Sequence, residues 1–399
     1  MTNKINWKEH ISPGVNSLPA SGLSKFLDII ATKKNVVSLS IGEPDFTTPL
    51  CVRKSAIKSI EEGYTSYTSC YGLLDLRKEI VKSFEGKYDV SYNPEKEVLI
   101  TVGVSEALDL AMRALLAPGD EVLLPEPCYV ANKACVIMAG GIPVPVATKA
   151  EEGFVVNTEE LEKKVTAKTK AIIISYPTNP TGATMNREQL LQIAQFAEKY
   201  NIFVVSDELY ADLTYVGKHT CFASLPGMKD RTILLSGFSK TYAMTGLRIG
   251  FVMAPEEAVS AMLAIHQYTM LCAPVTAQYA AIEALKHAQA DYEYMYDTYN
   301  KRRKIMADGF KKIGLPTFEP QGAFYIFPNI SVTGLSSADF TERLLEEEEV
   351  AVIPGGAFGE SGEGFVRCSY ATSNENLFKA LERMDKFVNQ TSSVKYASK

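Results

Sequence analysis

The sequence predicts an α/β fold: a mainly parallel sheet with helices on both faces, followed by a smaller α+β unit. Three observations carry that expectation. Through the middle of the chain, short runs rich in Val, Ile and Leu alternate with longer amphipathic stretches, the pattern of repeated strand–helix–strand crossovers. Most of these runs are continuous rather than alternating, as strands covered on both faces require. After about residue 290 the pattern changes to a long charged helix and a few short, separated strands.

Taken in order, seven segments read as strands: 98–102, 121–125, 143–147, 171–176, 202–207, 232–236 and 248–254. The helices between them are clearest at 105–116 and 186–200. The link from Ser236 to Arg248 is too short for a full crossover helix, so the last strand is expected to run antiparallel. Beyond it, a helix over 291–312 leads to short strands at 324–330, 351–354 and 365–371 and then to terminal helices. Residues 1–45 are too few for a core of their own and are expected to pack on the small domain. That leaves 46–290 as the large domain and 291–399 as the small one. The acidic stretch 346–349 reads as the solvated end of a helix, and 389–399 as a frayed tail.

Bulk properties narrow the function. The chain has 399 residues, 46% hydrophobic and 22% charged, a length that can bury roughly 75% of its unfolded surface without a metal or disulfide staple. A net charge of −6 argues against a nucleic-acid binder. No apolar run reaches the length of about 18 residues needed to span a bilayer, and residues 1–10 lack the apolar core of a signal peptide. Seven scattered cysteines form no CxxC, and four histidines form no HExxH. Reduced thiols in a cytoplasmic protein without a metal site are therefore expected.

Ligands of open α/β sheets bind outside the carboxyl ends of the strands, and four polar groups stand at such ends. Thr101-Val102-Gly103-Val104-Ser105 turns from a strand into a helix, which offers free N–H groups to an anion or simply uses Ser105 as an N-cap. Asn179-Pro180-Thr181-Gly182 is either a plain turn or a ligand contact. Asp207 closes a buried strand, with Tyr210 three residues on, and needs a cation or a hydrogen-bonding partner. Ser236-Gly237-Phe238-Ser239-Lys240, with Arg248 eight residues later, places an amine just past a buried strand, either a solvated surface group or one held desolvated as a nucleophile. A phosphate cradle, an arginine, a lysine nucleophile and a buried carboxylate together are what pyridoxal 5'-phosphate requires. The glycine-rich stretch 355–364 leads into a strand rather than a helix, so it is no dinucleotide fingerprint, and no Walker A sequence occurs.

These residues resemble the class I aminotransferases of fold type I over nearly the whole chain. SGFSKTYAMTGLRIG (236–250) is similar to that family's cofactor-lysine signature, and SYPTNPTGA, VVSDELY and FVRCSY match three further blocks in order. The resemblance implies a seven-stranded cofactor domain, a small domain and a homodimer with shared sites, acting on amino acids and 2-oxo acids.

It also implies roles. Lys240 would be the Schiff-base lysine and proton shuttle, Asp207 the partner of the pyridinium, and Asn179 and Tyr210 the partners of the ring's phenolic oxygen. Arg248 and Gly103-Val104-Ser105 would hold the phosphate, and Tyr129 would stack on the ring. Arg367 would clamp the substrate carboxylate beside the backbone of Gly42, and Tyr67 would reach the neighbouring subunit's phosphate. Where some relatives carry a phosphate-binding serine this chain has Gly237, which leaves Ser239 or Ser236 as substitutes.

Three rivals share part of this reading. A C–S lyase or decarboxylase would use the same cofactor residues. A Ser–Lys hydrolase would leave Asp207, Arg248 and Arg367 unexplained, and a DNA-binding regulator on this fold would need length and basic charge the chain lacks. For the substrate, the two family positions that supply a second cation fall at Tyr268 and at Val104-Ser105. Aromatic or other neutral amino acids are therefore expected to serve at least as well as aspartate, with Tyr268 and Tyr129 lining the side-chain pocket.

Overall fold

In the computed structural model, which describes residues 5–18 and 35–397, a seven-stranded sheet dominates the fold. Twelve strands occur among the described residues: β1 Val37–Ser38, β2 Val98–Thr101, β3 Glu121–Glu126, β4 Ile142–Ala147, β5 Thr169–Ser175, β6 Phe203–Asp207, β7 Thr232–Gly237, β8 Gly250–Met253, β9 Tyr325–Ile326, β10 Val350–Ala351, β11 Ile353–Pro354 and β12 Val366–Ser369. The large sheet has the order β2-β8-β7-β6-β5-β3-β4. β8 runs antiparallel to both of its neighbours, and the remaining pairs are parallel. The short link before β8 accounts for this reversal, as its length implied.

The helices that matter to the site are α1 Leu50–Glu61, α2 Leu74–Tyr88, α3 Gly103–Leu115, α4 Val130–Met138, α5 Arg187–Lys199, α6 Glu256–Thr269, α7 Val275–His287, α8 Gln289–Ile313, α9 Ser337–Glu348 and α10 Asn374–Ala397. Alternate residues of each central strand go to opposite faces. Leu99, Val122, Ile173, Val205, Leu235 and Val252 pack with α3, α4 and α6. Ile100, Leu234 and Met253 pack instead with α2 and α7, and Ile172, Ile174 and Val204 with α5. This two-sided burial explains the unbroken apolar runs. β4 departs from it because it is an edge strand, with Ile142 and Ala147 exposed.

A separate core gathers around α8, α9 and α10, with Tyr299, Phe310, Phe324, Phe340 and Phe387 buried in it. Val37 and Leu39 join this core, and β1 pairs in parallel with β10. The Asp45 carboxylate accepts from Arg302 on α8 at 2.8 Å, which anchors the stretch that carries Gly42.

Three local expectations are corrected. The strand expected at 324–330 is only Tyr325–Ile326, because pairing beyond it is reduced to isolated bridges at Pro328 and Asn329 before a 3-10 turn at Ser331–Thr333. Glu346 and Glu347 are exposed at the end of α9 as expected, but Glu348 is buried against Lys386. The supposed tail continues α10 as far as Ala397; Val388 and Thr391 are buried, and the Thr391 hydroxyl donates back to the Phe387 carbonyl.

Candidate active site

Six strands of the large sheet end on one edge, and there the chain opens a cavity of about 480 Å³. Gly42, Val104, Ser105, Tyr129, Asn179, Asp207, Tyr210, Ser239, Lys240, Arg248 and Arg367 all line it. Gly103 stands directly behind Arg248, whose guanidinium occupies the space a side chain would need there.

The anion end is built by α3. Its helix starts at Gly103, two residues earlier than expected, so Ser105 lies in the first turn and is not the N-cap. Capping falls to Glu106, whose Oε2 accepts the Val102 N–H at 2.5 Å. The N–H groups of the first turn have no acceptor within the helix, and Val104 and Ser105 bring theirs to the cavity wall. Gly250 must be glycine, since a Cβ there would come within 2.7 Å of the Gly103 carbonyl carbon. Arg248, held at φ 52°, donates from Nη1 to the Thr245 carbonyl at 2.8 Å. Of the two candidate serines, Ser239 lines the cavity, whereas the Ser236 hydroxyl donates to the Glu208 carbonyl.

The opposite end is formed by Arg367 on β12. Its Nη1 donates to Asn179 Oδ1 at 3.0 Å and its Nη2 to the Ser40 carbonyl at 2.6 Å. The guanidinium lies over the rings of Tyr325 and Phe358, and its Nε is buried without a partner among the described residues. The Asn179 turn is fastened by Gly182 at φ 71°, whose carbonyl accepts from Gln321 and Gly322 and whose Cβ position is filled by Pro320.

Lys240 sits between these ends. Its Nζ donates to the Gly42 carbonyl at 2.7 Å and lies about 6 Å from the Tyr210 and Phe324 ring centres. Burial, aided by the Arg367 and Arg248 charges, lowers its pKa to about 8, although Glu43 and Asp207 pull the other way. Burial raises Asp207 to about 6, against the opposing hydrogen bond from the Leu209 N–H. The Tyr210 hydroxyl is paired with that of Tyr325 at 2.7 Å.

Two expected residues lie elsewhere. Tyr67 and Tyr268 are 80% and 87% exposed and do not touch the cavity of their own chain. Conversely, Ser40, Glu43, Ser175, Thr245 and Tyr325 line it and were not expected. Tyr325 sits in an aromatic run whose sequence carries no signal beyond a buried strand.

The residues present fit pyridoxal 5'-phosphate. The unpaired N–H groups at the start of α3 and Arg248 suit its phosphate, and Asp207 suits a protonated ring nitrogen. The Lys240 amine suits its aldehyde, and Arg367 remains for a substrate carboxylate.

Comparison with known proteins agrees with this geometry. Residues 34–384 match the family model described as aminotransferase class I and II. The chain is 51% identical to YugH of Bacillus subtilis (strain 168) over 96% of its own length and 99% of that protein. It is 44% identical to an aspartate aminotransferase of Pyrococcus abyssi (strain GE5 / Orsay), over 93% and 96% of the two chains. The solved structure of an aromatic aminotransferase from Pyrococcus horikoshii OT3 superposes with a TM-score of 0.88 at 43% identity, covering 92% of this chain and 99% of that one.

The lowered lysine pKa is measurable. Only the neutral amine is acylated, so in cofactor-free protein Lys240 labelling should rise with pH around a midpoint near 8. Ordinary lysines are half-labelled only near pH 10.4, roughly. Arg367→Met should move the Lys240 midpoint upward, because a nearby positive charge has been removed. A midpoint at the ordinary lysine value in the unmodified chain would show that the amine is not desolvated.

Proposed function

The chain belongs to the class I and II aminotransferases, and on that premise we propose that it carries pyridoxal 5'-phosphate on Lys240 and works by a ping-pong cycle. The amino donor is an aromatic or other neutral L-amino acid, with aspartate also accepted, and the acceptor is a 2-oxo acid such as 2-oxoglutarate. What supports this most directly is the convergence of Lys240, Asp207, Arg248 and Arg367 on one cavity.

When bound, the cofactor supplies an electron sink for the carbon that gives up its proton. The protein's own groups do the rest. Lys240 Nζ takes a proton and returns it; in the cofactor-free chain burial lowers its pKa to about 8, toward the range a general base needs. Asp207 would hold a proton on the ring nitrogen by its charge, and Asn179 and Tyr210 would bond the phenolic oxygen. Arg248, Ser239 and the Val104 and Ser105 N–H groups would hold the phosphate, and Tyr129 would face the ring. Arg367, already braced by Asn179 and Ser40, clamps the α-carboxylate of the substrate.

We assign 46–290 to the cofactor domain and 291–399 to the small domain; Val37 and Leu39 pack on the latter through the β1–β10 pair, whereas Pro13–Asn16 lie against α4 of the large domain and not, as expected, on the small one. A homodimer is part of the proposal. Leu50, Ile57, Ile60 and Tyr64 expose apolar surface along α1 and the loop after it, next to the exposed Tyr67, the kind of patch that marks a protein contact. A cytoplasmic setting accords with seven unpaired thiols.

Asp207→Asn should keep most of its cofactor but lose on the order of 10²–10³ in kcat, as loss of one preorganised charge does; near-normal turnover would remove the residue from the mechanism. For the shared site, Tyr67→Phe and Lys240→Ala protein would be mixed. Exchanged heterodimers contain one site free of both changes if Tyr67 acts across the interface, so activity should recover. No recovery despite verified exchange would place Tyr67 in its own subunit's service.

Among the described residues the cavity cations are Lys240, Arg248 and Arg367, and each has a task. A second substrate carboxylate would find no fourth, and Glu43 at the wall would oppose it; leaving such a group unpaired costs roughly several kcal/mol. The relatives are named for aspartate and for aromatic substrates and so do not decide between them. With one common acceptor, kcat/KM for phenylalanine and tyrosine should at least equal that for aspartate. An aspartate preference above about 100-fold, or roughly 2.7 kcal/mol, would reveal a cation brought in from outside this cavity.

A further inference from the structure

Behind the turn at 102–105 lies a buried pair that the reaction has no use for: Glu106 on α3 and His266 on α6. We propose that His266 is a positioning residue for cofactor binding, holding the phosphate-gripping turn in shape through Glu106. The inference rests on reading that turn as the phosphate site.

Glu106 makes two bonds in opposite directions. Its Oε2 accepts the Val102 N–H at 2.5 Å, which closes the turn on itself, and its Oε1 lies 2.7 Å from His266 Nδ1. The His266 side chain is fully buried and that of Glu106 nearly so. An ionised carboxylate only accepts hydrogen bonds, so Nδ1 must be the donor. Nε2 is then left facing the interior with no partner among the described residues. That arrangement satisfies Glu106 rather than His266, so the histidine serves the carboxylate.

Electrostatics alone would not put a carboxylate here, adjacent in sequence to N–H groups read as a phosphate site, because like charges repel. Its value must lie in shape. The Thr101 hydroxyl also ties the turn by donating to the Gly103 carbonyl at 3.0 Å. The backbone at Gly103 and Val104 lies tight against Gly250, and the Arg248 guanidinium fills the space beside Gly103. A turn so enclosed cannot tilt without moving the Val104 and Ser105 N–H groups relative to Arg248. Without His266, the Glu106 carboxylate keeps one bond of two in a site closed to water and must rotate or draw water in, and the Val102 peptide goes with it.

The same histidine marks the end of α6. Its carbonyl accepts the N–H groups of Met270 and Leu271, two residues beyond the exposed Tyr268. The turn is thereby tied to the helix end that carries Tyr268, without His266 touching the cavity.

The test compares two ligands that differ only in the phosphate. Kd values of cofactor-free protein for pyridoxal 5'-phosphate and for pyridoxal would be measured by equilibrium dialysis in the unmodified chain, His266→Leu and His266→Asn. The Leu variant should lose about tenfold in affinity for the phosphorylated ligand, the worth of one hydrogen bond to a charged group, with pyridoxal affinity unchanged. The Asn variant, whose amide N–H can reach Glu106 from near the Nδ1 position, should recover most of the loss. Glu106→Ala should show at least the same selective loss, and adding His266→Asn to it should cost nothing more; this pair decides the matter if the Leu variant does not fold. Equal weakening of both ligands, or no change in their ratio, would overturn the proposal and leave His266 a core residue. If the unmodified chain itself fails to prefer the phosphorylated ligand, the reading of the turn falls first, and that outcome is separable because it does not involve His266.

Discussion

A sheet buried on both faces leaves polar side chains nowhere to go but its strand ends, and this constraint places everything else. The interior of each central strand is committed to two apolar layers, where an unpaired polar group would cost several kcal/mol, roughly. Because six of the seven strands run the same way, their carboxyl ends share one edge. Thr101, Ser175, Asp207 and Gly237 close their strands there, and the residues that follow are free to turn into a common cavity. The reversed β8 completes the arrangement, since it delivers Arg248 to the same edge from the opposite direction.

Within that cavity, charge is arranged to set two proton affinities against each other. Burial moves the Lys240 amine down to about 8 and the Asp207 carboxyl up to about 6. Two guanidiniums reinforce the first shift without touching the amine, which instead donates to the Gly42 carbonyl. The result is a lysine that can trade a proton near neutral pH beside a carboxylate still able to ionise. Each guanidinium is also braced from behind, Arg367 by Asn179 and Ser40 and Arg248 by the Thr245 carbonyl. Bracing of this kind lowers the entropic cost of gripping an anion.

Much of the architecture exists to hold backbone segments rather than side chains. Gly42 faces Lys240 because Asp45 is tied to Arg302 on α8, and the Asn179 turn stands where it does because Gly182 is clamped by Gln321 and Gly322. The turn ahead of α3 is closed by Glu106 and backed by His266. These supports come from both cores, so the cavity belongs to their junction and not to the sheet alone.

The sequence by itself determined the fold class, the reversal of the last strand and the groups standing at strand ends. Those follow from periodicity, link length and the cost of burying polar atoms, all of which are local. It also carried blocks such as SGFSKTYAMTGLRIG, whose spacing can be read without coordinates. Long-range packing decided the rest. Helix α3 begins at Gly103 and not Ser105 because Glu106, reaching back to Val102, caps it. Tyr325 enters the cavity because its hydroxyl meets Tyr210 from 115 residues away, and α10 continues past Asn389, where Val388 and Thr391 are buried. Tyr268 is exposed and does not line its own chain's cavity, which no spacing rule could supply. Contacts between residues far apart in the chain leave no period and no spacing in the sequence, so only the folded structure could show them.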